Sequence, residues 1–165
     1  MTYDIYHIFN KNFMSNKLKN NKVLQEILKQ TGLKKPDELF NDDLKCLEFM
    51  SNLKWVNGFK CKKCDHDNYC KGKLPFSRRC TRCKNEESAI ANTIFHHSKF
   101  PLSKAMYIAF EVSINEDNIS SYELANKLEL RQMTCWKFKD KILKKILARK
   151  RLIQHADFCE ILLEK

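Results

Sequence analysis

Two Cys-x2-Cys pairs, Cys61 with Cys64 and Cys80 with Cys83, stand fifteen residues apart. Each pair puts two sulfurs on one side of a tight turn. Two such knuckles facing each other complete a tetrahedron of thiolates, the donor set of a structural zinc ion. The fifteen residues between them suit an outgoing strand, a turn near Gly72 and a return strand carrying Phe76. Four thiolates leave no open coordination position, so the expected cofactor is one structural zinc. Its binding is folding free energy, on the order of 10–16 kcal/mol in small zinc peptides. So short a segment has no other obvious core, which predicts that Cys61 to Cys83 unfolds without metal. The other cysteines read as packing residues: Cys70 as a small buried residue on the outgoing strand, Cys46, Cys135 and Cys159 as helix core. His66 reads as a solvated loop residue, and the adjacent His96 and His97 do not easily turn onto one metal.

Eight cysteines in 165 residues raise the question of disulfides. Met1 to Met14 is polar and aromatic, without an apolar signal core, and no stretch has the length of a membrane span. The expectation is therefore reduced thiols, a cytoplasmic protein associated with the nucleoid, and no membrane partner. The net charge of +11 favours polyanions, nucleic acid first. An AT-rich coding sequence gives the same bias, since 25 of the 31 cations are Lys. The ribbon is nonetheless locally basic. From Gly58 to Lys84, nine cations face only Asp65 and Asp67, a local excess of seven. Lys62, Lys63, Arg78, Arg79 and Arg82 are its candidate phosphate contacts, the alternative being a solvated face around a structural metal.

The rest of the chain reads as helical, giving a mostly α fold with a small β zinc ribbon and a helix-turn-helix C-terminal to it. Val23, Ile27 and Leu28 recur at helical spacing before Gly32, after a polar, Lys-bearing stretch from Asn10 to Asn21. Asn41 or Asp42 caps a helix through Leu53, with Leu44, Leu47 and Met50 on one face. Ser120 to Glu123 reads as a capping box, followed by apolar Leu124, Ala125 and Leu128. Glu129 stands where a turn Gly is common, and a second helix starts near Gln132 with Cys135, Phe138, Ile142 and Ile146 as its apolar stripe. On such a recognition helix the first residues meet base edges and later ones meet backbone. This assigns Gln132, Thr134 and Lys137 to a groove and Lys141, Lys144 and Lys145 to phosphate. An ordinary amphipathic helix with a solvated cationic face has the same pattern. The implied domains are a helical arm (1–40), a lead helix with the ribbon (41–98) and a helix-turn-helix domain (99–165).

Several runs resemble one family. Trp55-Val56-Asn57-Gly58-Phe59-Lys60-Cys61, Arg79-Cys80-Thr81-Arg82-Cys83 and Asn92-Thr93-Ile94-Phe95 followed by Pro101-Leu102 are similar to the front end of bacterial insertion-sequence transposases. These carry a zinc ribbon, a helix-turn-helix and then a DDE catalytic domain. The segment Ile119 to Ile142 resembles their helix-turn-helix, with Glu123-Leu124-Ala125 and Thr134-Cys135-Trp136. Cys46 sits where the family often has a non-ligand cysteine. The resemblance covers Asn41 to Leu147. It departs at Lys62, where Pro is usual, and at Asp65 and Asn92, where Gly is usual; these positions concern turn geometry more than metal binding.

The resemblance implies double-stranded DNA as partner. A homo-oligomer or a transposase partner stays open. Only Lys150 to Lys165 follow the helix-turn-helix, too few for a DDE domain, so no catalytic residue and no strand cleavage are expected. Three roles fit: a truncated transposase that binds element ends, a repurposed transcription regulator, or a scaffold subunit of a nucleic-acid-associated complex.

Overall fold

The computed structural model describes residues 29, 40–115, 118–152 and 158–163. The expected helix through Val23, Ile27 and Leu28, and the polar stretch before it, lie outside the described residues.

The first helix, α1, spans Asp43–Lys54 and begins where Asp42 Oδ1 accepts the Leu44 N–H at 2.8 Å. Its buried residues are Cys46, Phe49, Met50, Ser51 and Leu53. Of the expected face, Met50 is buried, but Leu47 is half-buried and Leu44 is 53% exposed. Both rows are helical in spacing, and packing against the next helix selects the one centred on Phe49. Trp55 and Phe59 then turn under the ribbon around Gly58, which takes φ 93.

The ribbon is a three-stranded antiparallel sheet in the order β1 (Tyr69–Lys71), β2 (Arg78–Cys80), β3 (Glu86–Glu87). Tyr69 pairs with Cys80, Lys71 with Arg78, and Arg78 with Glu87. The turn falls at Gly72, with its N–H on the Ser77 carbonyl at 3.1 Å. Two expectations fail here. Phe76 lies in the turn at φ 55, not on the return strand. Cys70 is exposed, because β1 is an edge strand whose three residues all face water.

The segment after β3 plugs the ribbon into the helices. Ile94 and Phe95 are fully buried, Phe95 stacks on Phe138, and Thr93 Oγ1 accepts the Phe95 N–H at 3.2 Å. The second helix, α2 (Leu102–Asn115), packs against α1, against α4 (Gln132–Leu152) and against α5 (Phe158–Leu163). Asp43 of α1 accepts the Ser103 N–H at 2.8 Å at the start of α2. Burial works against ionising this carboxyl, but its bonds from Ser103 and Leu102 outweigh that and hold it below its ordinary value.

Helix α3 (Ser121–Leu128) is capped by Ser120, whose side chain accepts the Tyr122 N–H at 3.2 Å. The cap is where the sequence put it, but made to residue 122 rather than to Glu123 as in a capping box. Glu129 ends α3 in the left-handed conformation, and α4 begins at Gln132. The stripe Cys135, Phe138, Ile142, Ile146 is buried, as its period predicts. The expected mostly helical fold with a small cysteine-bearing sheet is thus the observed one.

Candidate metal centre

The two knuckles are built alike. In the first, the Cys61 N–H donates to the His66 carbonyl and the Asp65 N–H to the Cys61 carbonyl, both at 2.9 Å. In the second, the Cys80 N–H donates to the Asn85 carbonyl at 2.9 Å and the Lys84 N–H to the Cys80 carbonyl at 3.1 Å. Closing each loop takes one left-handed residue, Asp65 at φ 54 and Lys84 at φ 61. The sheet register places the knuckles together, with the Asn68 carbonyl accepting the Thr81 N–H at 3.2 Å.

All four Sγ atoms of Cys61, Cys64, Cys80 and Cys83 lie within 4.8 Å of one another. Cys61 and Cys83 are 3.5 Å apart and Cys64 and Cys80 3.6 Å. Thiolates about 2.3 Å from a tetrahedral zinc are ~3.8 Å from each other, so the cage has the size of one such ion. Cys61 and Cys80 are buried, Cys64 and Cys83 half-buried. Backbone amides aim at the sulfurs, as the Lys63 N–H does at Cys61 Sγ at 3.4 Å.

Burial opposes ionisation of Cys80, but the N–H groups of Cys83 and Arg82 and the Cys64 and Cys83 thiols pull it down to about 6. Cys64 accepts the His66 N–H, yet burial and the sulfurs of Cys83, Cys80 and Cys61 push it up to about 12. Four sulfurs this close cannot all carry charge by themselves, whereas a divalent cation among them favours all four thiolates. The residues therefore fit a structural zinc held by Cys61, Cys64, Cys80 and Cys83. Among the described residues no other group of His, Cys, Asp or Glu is placed to hold a metal. His66 is not a ligand; its Nε2 lies 3.1 Å from Thr81 Oγ1, tying the first knuckle to the second.

The cationic residues divide by use. Lys62, Lys63, Arg82 and Lys84 are exposed and Arg79 is half-buried. Lys62 also lies 3.5 Å from Glu87. Arg78 does something else: its guanidinium stacks 4.5 Å from the Trp55 ring and 4.1 Å from that of Tyr69. On α4, Gln132 Nε2 donates to Ser121 Oγ at 3.0 Å, joining the starts of the two helices, and Thr134 is half-buried. Lys137 and Lys144 are exposed, the latter 2.7 Å from Asp140. Lys145 is half-buried, and so is Lys141, which donates to the Ile94 carbonyl.

The outermost face of the helix start belongs to residues the sequence reading missed. Met133 is 55% exposed and Trp136 49%, beside Lys137. At 100° per residue, Met133 and Lys144 lie opposite the Cys135, Phe138, Ile142 stripe. The wheel contains this signal, but hydrophobicity disguises it, since exposed apolar side chains read as core.

No family model matches the chain, and no curated protein and no solved structure matches it.

Proposed function

We propose that this chain is a zinc-ribbon DNA-binding protein that recognises duplex DNA without cutting it. One observation carries this reading. The face of α4 turned away from the core presents Met133, Trp136, Lys137 and Lys144 to solvent, in a helix following a three-residue turn. In a major groove such cations meet phosphate or guanine, and apolar side chains can pack on thymine methyl groups. The exposed cations of the ribbon supply a second phosphate-contacting surface, and the resemblance to insertion-sequence transposases adds to the reading. A four-thiolate zinc has no open position for a substrate, which supports a binding role over a catalytic one.

The test is the affinity of zinc-loaded protein for duplex DNA across a salt series. If six or more phosphates are neutralised, log affinity falls with log salt at a slope of roughly −5 or steeper, about 0.9 per contact. The exposed Met133 and Trp136 on α4, with Tyr122 exposed on α3, favour a second reading, a scaffold subunit that docks a protein through these side chains. Protein that keeps its zinc and helicity but binds no duplex at low salt replaces the first reading with the second.

A further inference from the structure

The tip of the ribbon hairpin has a property that metal binding does not require. Between β1 and β2, Leu74 is 58% exposed, Phe76 is 37% exposed, and Pro75 between them also faces water. Three consecutive apolar residues at the end of a hairpin form a projecting patch rather than a scattered surface side chain.

The tip is also rigidly held. Glu86 Oε1 accepts the Lys73 N–H at 2.7 Å and the Leu74 N–H at 3.2 Å, and lies 2.8 Å from Ser77 Oγ. These bonds hold the Glu86 carboxyl below its ordinary value, the Ser77 hydroxyl first among them. The Ser77 N–H closes the turn on the Leu74 carbonyl at 3.2 Å. Gly72 lets this clamp approach: a Cβ there would stand 2.1 Å from Ser77 Oγ and 2.5 Å from Glu86 Oε1. Phe76 is fixed at φ 55, a conformation that a bulky residue keeps only where its surroundings impose it.

Exposed Lys71 and Lys73 stand at the base of this tip. Cations behind a stiff apolar point fit a partner that is anionic outside and apolar within, and a stacked duplex is such a partner. A two-stranded ribbon fits a DNA groove, and Leu, Pro and Phe are among the side chains that wedge between base steps. Rigidity matters for a wedge, because a tip already ordered loses little entropy on insertion. We infer that Leu74, Pro75 and Phe76 form a wedge that enters between base steps and unstacks them; this rests on the DNA-binding reading above.

The experiment compares a fully paired duplex with the same duplex carrying a central two-nucleotide mismatch. Zinc-loaded full chain binds the mismatched duplex about tenfold or more tightly, because the cost of unstacking, a few kcal/mol per step, is already met. Leu74→Ser with Phe76→Ser binds both duplexes alike, with zinc content and salt slope unchanged. Phe76→Gly, which suits the left-handed backbone, gives the same levelling if the double variant fails to fold. Equal affinity of the wild type for both duplexes, or a preference that survives the variants, overturns the wedge while leaving DNA binding standing. No binding to either duplex at low salt sinks the DNA reading and the wedge with it. Binding to phosphatidylglycerol vesicles that is lost in the double variant, with no mismatch preference, assigns the tip to a lipid surface and overturns the proposal.

Discussion

Six non-glycine residues take a left-handed backbone among the described residues: Asp65, Phe76, Lys84, Asn92, His97 and Glu129. The sequence marks three of them: Asp65 and Asn92 depart from glycine in the pattern this chain resembles, and Glu129 stands where a turn Gly is common. Asp65 closes the first knuckle and Glu129 the end of α3 through this conformation. Lys84 gave no such warning, yet it repeats in the second knuckle what Asp65 does in the first. Lys has no short polar side chain to offset the left-handed cost, which is roughly 1–2 kcal/mol for an L-residue. Part of that returns as lost backbone entropy when glycine is introduced. Lys84→Gly is therefore expected to stabilise the zinc-loaded protein by about 0.5–1 kcal/mol in chemical denaturation. Its surface bond from Nζ to the Thr81 carbonyl is too exposed to reverse the sign. Asn92→Gly gains less, because Asn tolerates this region. A loss of stability in Lys84→Gly would mean that the knuckle does not strain its closing residue.

At the scale of elements, legibility followed how many readings a pattern allowed. The stripe on α4 has one helical period and was read correctly. In α1, Leu44 with Leu47 and Cys46 with Phe49 and Leu53 are both acceptable rows, and only the position of α2 chooses between them. In the ribbon the ligands were legible from spacing, but strand burial was not. Strands of three, three and two residues have no interior, so Cys70 and Phe76 reach water where alternation predicts otherwise. Sheets this small are not stable alone. A bound zinc would therefore hold this element, as it does small zinc peptides, where binding contributes on the order of 10–16 kcal/mol. Purified protein should contain about one zinc per chain. Chelation should abolish hydrogen-exchange protection in β1 to β3 while the circular dichroism of the helices persists. Cys70→Ser should keep the metal. Zinc retained in a Cys61→Ser, Cys80→Ser double variant would remove the assignment.

Across the whole molecule, a large positive charge does not mean that every lysine faces a partner. Lys54 is half-buried, 2.7 Å from Glu87, and donates to the Ser88 and Ala91 carbonyls, so it fastens α1 to the ribbon. Lys104 donates to the Leu128 carbonyl and Lys139 to that of Ile119. Lys141 belongs with these. The sequence placed it on the cationic face of α4, but its ammonium meets the carbonyl of Ile94, the residue that plugs the ribbon into the helical core. Burial, with Lys145 nearby, pushes the Lys141 ammonium below its ordinary value, as a group drawn into packing should be. Lys137 is exposed on the face opposite the core. The two lysines, four residues apart on one helix, should therefore fail differently. Lys141→Ala removes a hydrogen bond from a charged donor, worth about 1.5–3 kcal/mol when buried and about 1 kcal/mol at this partial exposure. It should lower the denaturation midpoint while leaving the salt slope of DNA binding unchanged. Lys137→Ala should leave the unfolding free energy within about 0.5 kcal/mol of wild type. If it contacts phosphate, it should make the salt slope shallower by about one. Measuring denaturation and salt dependence on both variants separates folding lysines from binding lysines. Equal loss of slope in the two would place Lys141 on the DNA and its bond to Ile94 among the dispensable ones.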